Sequence, residues 1–332
     1  MNVADPRAPF ARVAATLRGA DFLFGNLECC LYAPPGTRSF ADEGFYAAPA
    51  AGEALTLAGY HALGTANNVN YGPDAIEHSL RELDRLGIAH TGSGANLAAA
   101  RAPAIVERKG LRIGVLQRTS VYWPTNHEAG EHSPGVAVIR GHTAYQLPLH
   151  KTRPEVPPAN RPGVPPVIVT WADPQYLARF REEIAALRPQ VDVVIASHHW
   201  GLFQEVLEYM REIAHAAIDA GADIVIGHGP HFVLPVEVYK GRPVFYGMGN
   251  FSFHTGHGGR KHGDWVGLLA RVLMEERELR RVALRFVRHN EGNETLLRSP
   301  AEEPAALRDL VERSTPFGTR ITVEGGEAVV AL

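Results

Sequence analysis

The sequence Gly-Ala-Asp-Ile-Val-Ile-Gly-His-Gly-Pro-His, residues 221–231, joins a buried strand to two closely spaced histidines. Residues 222–226 are apolar and partly β-branched, which predicts a short buried strand that ends at Gly227. His228 and His231 follow, and a Gly-Pro pair bends the backbone between them. The carboxyl end of a strand is where an α/β sheet commonly carries a metal or catalytic site. The segment therefore predicts such a site, and the alternative is a turn with two solvated histidines.

A second segment has the same construction. Residues 191–196 form another buried-strand pattern, which runs into His198 and His199. The intervening residues 206–220 carry apolar side chains at helical spacing, which predicts an amphipathic helix. A β–α–β unit with a right-handed crossover has parallel strands, so both carboxyl ends open on one edge of the sheet. We therefore expect the two histidine pairs to meet there, and neutral imidazole is the commonest protein ligand for transition metals.

The amino-acid composition limits the classes of protein to which this chain can belong. Of 332 residues, 45% are hydrophobic and 21% are charged, which is typical of a soluble globular protein with a large core. The net charge of −3 offers no basic surface for nucleic acid. Neither a signal-peptide pattern nor an apolar run of about 18 residues occurs, so we expect a cytoplasmic protein with no membrane span. The only cysteines, Cys29 and Cys30, are adjacent and are expected to be buried, inert thiols.

A proline-rich stretch interrupts the α/β pattern. Seven prolines fall between residues 148 and 166. Because proline fixes its own backbone and removes a hydrogen-bond donor, we expect the segment from about 140 to 166 to be an irregular surface insertion. It would be a lid or rim of the site, or simply an inserted loop.

Six short motifs follow one another along the chain, in an order more specific than any one of them. They are Gly25-Asn26-Leu27-Glu28, Ala66-Asn67-Asn68, Gly94-Ala95-Asn96-Leu97, His199-Trp200-Gly201, Gly227-His228-Gly229-Pro230-His231 with Glu237, and Gly249-Asn250-Phe251. From about residue 9 to 290, this series resembles the CapA family of bacterial capsule and poly-γ-glutamate synthesis proteins.

The resemblance implies a fold and a set of ligands. The fold would be α/β, a four-layer α/β/β/α sandwich similar to calcineurin-like metallophosphatases, in one domain over residues 1–332. Loops at the strand ends would hold one or two divalent metal ions. The implied metal ligands are Glu28, His199, His228, His231 and an amide oxygen of Asn68, with Asn26 and Asn67 next to them.

The implied chemistry is metal-dependent hydrolysis. Oxygen and nitrogen ligands of this mixture suit manganese, iron or zinc. A metal-bound hydroxide would attack a phosphoester or an amide, including a γ-glutamyl linkage, in a small molecule or a glutamate polymer. His199 would be both metal ligand and catalytic residue. His198 would transfer a proton or hold one of the metal ligands in position.

Two departures from the family pattern bear on this site. Relatives open with a strand that ends in Gly-Asp, whereas this sequence begins Met1-Asn2-Val3-Ala4-Asp5-Pro6. We expect either that this strand is missing from the sequence or that the site lacks an aspartate ligand. Relatives also follow the double asparagine with a histidine, where this chain has Val69. His198, His61 or His254 would replace that proton donor.

Four other side chains have a functional and a structural interpretation. Asn250 would orient a ligand or serve a turn. Glu237 would hold a histidine N–H or be a solvated charge at a sheet edge. Arg118 would bind an anionic group or form a surface salt bridge, and Trp200 is expected to pack.

Two function classes remain open at this stage. The first is a metal-dependent hydrolase of the CapA type. The second is a non-catalytic accessory protein that binds a glutamate polymer or a synthase partner, including a former phosphatase site that has lost its metals.

Overall fold

A six-stranded sheet lies at the centre of the computed structural model, which describes residues 5–34, 46–123, 127–146, 167–201, 203–252, 265–275 and 277–332. The helices are α1 (Ala14–Arg18), α2 (Gly52–Ala58), α3 (Pro73–Arg85), α4 (Leu97–Arg101), α5 (Pro174–Leu187), α6 (Glu208–Asp219) and α7 (Pro304–Ser314). The strands are β1 (Phe24–Asn26), β2 (Cys30–Leu31), β3 (Tyr46–Ala47), β4 (Ala62–Gly64), β5 (Ala89–Thr91), β6 (Ser93–Gly94), β7 (Ala104–Arg108), β8 (Leu111–Thr119), β9 (Gly135–Val136), β10 (Gly141–Gln146), β11 (Val167–Ala172), β12 (Val193–His199), β13 (Ile224–His228), β14 (Val236–Tyr239), β15 (Arg242–Phe245), β16 (Gly267–Glu275), β17 (Glu278–His289), β18 (Thr295–Arg298), β19 (Ile321–Glu324) and β20 (Glu327–Val330).

The central sheet has the order β14-β15-β13-β12-β8-β7. Its four inner strands are parallel, and each edge strand pairs antiparallel with its neighbour. Helix α6 connects β12 to β13, so the predicted β–α–β unit with adjacent parallel strands is confirmed. The predicted strand ends were too early: β12 continues through His199 and β13 through His228, so of the four histidines only His231 follows its strand.

Alternation along the inner strands buries both faces of the sheet. Val194 and Ala196 of β12 pack with α5 and α6, in a cluster that includes Phe180 and Ile213. The neighbouring residue Ile195 points to the other face. There it joins a core shared with the antiparallel sheet of β16, β17, β20 and β19. The continuous apolar run at residues 193–196 follows from this burial on both sides.

A small parallel sheet, β1-β4-β5, supplies the other half of the site. Helix α3 covers it through a cluster that contains Leu63 and Leu83. It meets the central sheet at Gly64, where a Cβ atom would collide with the side chain of Gln117 on β8. The backbone N–H of Ala66 donates to Gln117 Oε1 over 2.8 Å, so the Gln117 side chain joins the two sheets.

The proline-rich segment begins and ends in regular structure. Strands β10 and β11 form an antiparallel two-stranded ribbon, with Gly141 opposite Ala172. The expectation of irregular structure from about residue 140 was therefore wrong for 141–146, where a paired strand satisfies the backbone. Residues 147–166 lie outside the described residues. Within the described part of the chain, no helix is long and apolar enough to cross a membrane.

Candidate metal centre

Neighbouring residues of β12 point to opposite faces of the central sheet. Its parallel pairing sets His199 opposite His228 on one side and opposite Thr119 of β8 on the other. The ring of His199 lies against His228, with 3.0 Å between the two Nδ1 atoms. His198 instead faces the helices, where its ring stacks on Trp200 with 4.8 Å between centroids. The face that carries His199 is called the site face here, and the other the helix face.

The small sheet brings an acid and three amides to the site face. Glu28 follows β1, and its Oε2 accepts a hydrogen bond from Asn26 Nδ2 over 3.3 Å. Asn26 Oδ1 in turn accepts from Asn67 Nδ2, over 3.1 Å. Asn67 is fully buried and also holds the turn after β4, since its Oδ1 accepts from the backbone N–H of Asn70 over 3.1 Å. Asn26 and Asn67 therefore position the loops that carry Glu28 and Asn68.

Four side chains converge where the two sheets meet. His199 Nε2 lies 2.9 Å from Asn68 Oδ1 and 4.0 Å from Glu28 Oε1. The same oxygen of Glu28 lies 3.8 Å from His231 Nε2. The other ring nitrogen of His231 lies 2.8 Å from Asn250 Oδ1, so Asn250 orients this histidine. The structure thus brings together Glu28, Asn68, His199 and His231, four of the five residues that the family resemblance implied as metal ligands.

The backbone around His231 supports this placement. Its φ of 64° lies in the left-handed region, which a residue with a side chain adopts rarely. Gly229 has a φ of 117° and lies against the backbone of Trp200. Unfavourable backbone conformations of this kind are concentrated at functional sites, where the surrounding structure holds them. In this conformation His231 Nε2 lies 3.8 Å from Glu28 Oε1.

Burial keeps the cluster uncharged. Burial raises the pKa of Glu28 to about 8, so its carboxyl is largely protonated at neutral pH. Burial and the neighbouring histidines lower the pKa of His199 well below its usual value and lower that of His228 to about 3. The pKa of His231 is also lowered, mainly by burial. Metal binding requires neutral imidazoles and a deprotonated carboxyl, so a metal ion at this cluster would have to displace the proton of Glu28.

These donors fit a divalent ion in chemistry and partly in distance. Among the described residues, no group of three or more His, Cys, Asp and Glu side chains is arranged to hold a metal ion. Ligands bound at about 2.1 Å lie roughly 3.0–3.4 Å apart in octahedral or tetrahedral geometry. The donor-atom separations of 2.9, 3.8 and 4.0 Å bracket that range.

His228 lies in this cluster but is enclosed by other side chains. Its Nε2 is 2.9 Å from Gln117 Nε2 and 2.9 Å from Ser197 Oγ. Both partners are fully buried, and neither was predicted from the sequence. The available signal was a polar residue that follows two apolar residues on the same face of a strand, and it occurs in β8 and in β12.

Other predicted residues lie away from the cluster. His198 is on the helix face, where its Nε2 is 2.8 Å from Ser120 Oγ. Arg118 is neither a free anion-binding group nor a surface salt bridge, because it is buried and pairs with Glu183 over 2.6 Å. His254 lies outside the described residues.

Three further interpretations are resolved by burial and contacts. Glu237 is buried, not solvated at an edge, and its Oε2 lies 3.0 Å from Nε2 of His215, a histidine outside the cluster. Trp200 is fully buried, so its expected packing role is confirmed. Cys30 is fully buried but Cys29 is only partly buried, and burial raises the pKa of the Cys29 thiol to about 11.

Comparison with known proteins finds similar bacterial sequences. The family model described as "Bacterial capsule synthesis protein PGA_cap" matches residues 1–255. An uncharacterized protein of Sinorhizobium fredii is 28% identical over 284 residues, covering 74% of this chain and 61% of the relative. A probable polyglutamine synthesis accessory protein of Mycobacterium tuberculosis is 28% identical over 279 residues, covering 81% of this chain and 66% of the relative.

The PGA biosynthesis protein CapA of Bacillus subtilis is 29% identical over 202 residues. That match covers 59% of this chain and 43% of the relative. The chain thus spans between 43% and 66% of the length of these curated relatives.

Proposed function

Because this chain belongs to the bacterial capsule synthesis protein family, we propose that it is a metal-dependent hydrolase acting on a phosphoester or amide bond. Among amides, γ-glutamyl linkages are the leading substrate class, since one similar protein is described as a PGA biosynthesis protein and another as a probable polyglutamine synthesis accessory protein. The observation that carries the proposal is the position of Glu28 Oε1, 4.0 Å from His199 Nε2 and 3.8 Å from His231 Nε2.

The proposed ligands are Glu28, Asn68, His199 and His231. When bound there, a divalent ion such as manganese, iron or zinc would lower the pKa of water and polarise the bond under attack. Glu28 would bind it as a carboxylate, so binding would remove the proton that burial favours.

The surrounding residues would hold these ligands in place. Asn250 fixes the ring of His231, and Asn26 holds Glu28. Partners of this kind commonly matter to metal affinity nearly as much as the ligands do. His198 is separated from the cluster by the sheet, so we propose that it supports packing on the helix face and takes no part in proton transfer to the substrate.

For the architecture, we propose the four-layer α/β/β/α sandwich of metallophosphatases. It is supported by the two sheets that pack face to face and by helices α5 and α6 on one outer side. The loops at the strand ends would then form the opening to the site.

A non-catalytic accessory role is the second candidate. It is favoured by the name of the mycobacterial relative, and by the lack, in the described residues, of a ready-made group of three metal-binding side chains. In that role the same edge of the sheet would bind a glutamate polymer without cleaving it.

The proposal is tested by metal content and turnover in the same preparations. Elemental analysis of wild type after incubation with manganese, iron or zinc is expected to give near-stoichiometric metal, which Glu28→Gln and His231→Ala would lose. Hydrolysis of generic phosphoester and γ-glutamyl anilide substrates would fall with it. His78→Ala, on the exposed surface of α3, is the matched histidine control and should keep both. Metal-free, inert wild type that still binds poly-γ-glutamate would favour the accessory role.

A further inference from the structure

A surface cavity of about 730 Å³ lies between α1 and the antiparallel sheet, outside the candidate metal centre. Three arginines line it, Arg12, Arg285 and Arg298, together with uncharged residues that include Asn290 and Leu297. None of the described residues that line it is acidic. We propose that this cavity binds the carboxylate groups of an anionic chain and that Arg285 is its principal anchor. Such binding goes beyond the proposed function, because the cavity would hold the chain whether or not the protein cleaves it.

Arg285 lies at a break in the pairing of β17. Strand β20 pairs with residues 282–284 and β18 with residues 286–289, so Arg285 falls between these two partners. On the other edge of β17, Arg285 is opposite Leu269, which packs against the cluster that contains Leu17 of α1. Opposite residues of an antiparallel pair share a face, so the Arg285 side chain lies on the side of the sheet that α1 covers, where the cavity is.

The charge of Arg285 is not matched within the protein. Its side chain is partly buried, and among the described residues it has neither an ion pair nor a hydrogen bond. A guanidinium that loses part of its hydration without gaining a carboxylate is at a disadvantage, which is why buried arginines are normally paired. Its five N–H donors form a fixed fork that matches the two oxygens of a carboxylate. A carboxylate bound in the cavity would therefore supply the missing partner.

The other two arginines have partners that leave them open to the cavity. Arg12 Nε donates to Glu294 over 2.7 Å, and Arg298 Nη1 donates to Glu302 over 3.0 Å. Neither glutamate lines the cavity. Glu294 also accepts from Asn290 Nδ2 over 2.6 Å, so two donors hold its carboxylate in place. Each guanidinium has five N–H donors, so both arginines keep some of them for a ligand.

A second cavity, of about 590 Å³, shows that clustered cations alone do not make such a site. It also has three cations, Arg188, Lys240 and Arg242, but two aspartates line it with them. Each of these cations lies within 3.2 Å of an oxygen of Asp219 or Asp223. Every cation there has a carboxylate of the protein itself, whereas Arg285 has none.

The lining suits a chain better than a small inorganic anion. The cavity volume falls within the range of about 300–1,000 Å³ that is typical of ligand sites. Leu296 and Leu297 add apolar surface that would pack against methylene groups. A γ-glutamyl chain has one carboxylate per residue and a backbone with methylene groups, so it would satisfy both the arginines and the leucines. Inorganic phosphate would satisfy the arginines alone.

The cavity also borders the loop that orients His231. Asn290 lines the cavity and follows His289, whose Nε2 lies 2.8 Å from the backbone carbonyl of Phe251. Phe251 follows Asn250, which holds the ring of His231. The cavity and the candidate metal centre are therefore connected through residues 250 and 251.

The test is the binding of a fluorescent γ-glutamyl oligomer to the full chain, measured by anisotropy with metals removed by EDTA. Wild type should bind the oligomer at low salt and bind it less tightly as salt rises, because the contacts are ionic. Arg285→Gln should weaken binding by about 10-fold, the loss expected for a hydrogen bond between charged groups. Arg298→Gln should weaken it by only about 3-fold, since this exposed arginine already pairs with Glu302.

Arg280→Gln is the matched control. It removes an exposed arginine of the same strand that pairs with Glu278, so it should leave oligomer binding unchanged. A γ-glutaminyl oligomer of the same length has amides in place of carboxylates and should not bind.

Equal affinity of wild type and Arg285→Gln for the oligomer would overturn the proposal. Inorganic phosphate that competes as strongly as unlabelled oligomer would overturn the assignment to a carboxylate chain. If Arg285→Gln does not fold, Arg298→Gln decides, and unchanged binding in it would overturn the proposal. The measurement needs no metal, so Arg285-dependent binding in a protein that neither retains metal nor hydrolyses a substrate would support the cavity and refute the metal-dependent function.

Discussion

His198 and His199 are consecutive, are both buried and both have a pKa well below that of a free histidine, yet they lie in different environments. His199 faces Asn68, His228 and Glu28 on the site face. His198 stacks on Trp200. Strand alternation alone separates them, so sequence proximity to a ligand says little about function within a strand, and the face decides.

The largest expected effect concerns the helix face, where Arg118 is buried beside Glu183. Glu183→Ala would leave the Arg118 charge buried without its carboxylate, at a cost of about 3–5 kcal/mol in the free energy of unfolding. Urea unfolding would measure this. Because the ion pair lies on the other side of the sheet, metal affinity of the folded protein should be unchanged. Loss of metal from fully folded variant would contradict the separation of the faces.

The loss of unfolding free energy at acid pH should reveal the buried neutral imidazoles that lie near the site face. His127 is fully buried, with its Nδ1 accepting from the N–H of Trp123 and its Nε2–H donating to the carbonyl of Asn70. Burial lowers its pKa from 6.5 to about 4. The unfolded chain therefore binds more protons between these values, so this stability is complete above pH 6.5 and is lost as pH falls toward 4.

Relative to His127→Gln, wild type should lose up to about 3 kcal/mol of unfolding free energy across that window. Unfolding curves at several pH values for both proteins would show it. Parallel pH profiles would mean that His127 already titrates normally in the folded state.

Direct comparison of the two neighbours comes next. His199→Ala removes a proposed ligand and should weaken zinc or manganese binding by more than about 100-fold, or at least about 2.7 kcal/mol. His198→Ala should lower stability by leaving a cavity against Trp200, while metal affinity stays within about 2-fold. Calorimetric titration of both variants would measure the contrast. Equal losses of metal affinity in His199→Ala and His198→Ala would contradict the different roles of the two histidines.

The smallest effect is expected from two acceptors that each hold a histidine. Asn250 holds His231 on the site face, and Glu237 holds His215. Asn250→Ala should weaken metal binding by about 10-fold, because the ring of His231 loses its orienting partner. Glu237→Gln keeps the shape of its side chain and should leave metal binding unchanged. If Glu237→Gln weakened metal binding more than Asn250→Ala did, the metal site would lie elsewhere.

Much of the secondary structure around the central sheet could be predicted from local sequence patterns. The unit from β12 through α6 to β13 follows from apolar runs and helical spacing, and Asp173 caps α5 as its position before a proline suggests. The choice of Glu28, Asn68, His199 and His231 as site residues was implied by the family resemblance that an ordered series of motifs carries.

The rest depended on contacts that no local pattern encodes. Where a strand ends is set by its pairing partners, so the extension of β12 through His199 was missed, and with it the opposite facing of His198. The enclosure of His228 by Gln117 and Ser197 arises from the meeting of three strands. The ribbon of β10 and β11 was hidden because its partners are separated by the proline-rich segment.

The contact between Gly64 and Gln117 limits which residues can replace either of them. No side chain fits there while Gln117 crosses from one sheet to the other. A larger residue at position 64 would be acceptable only with a smaller one at 117, and a shorter side chain at 117 would leave the N–H of Ala66 without its acceptor. The two positions are therefore expected to covary, so that among related sequences the pair changes together or not at all.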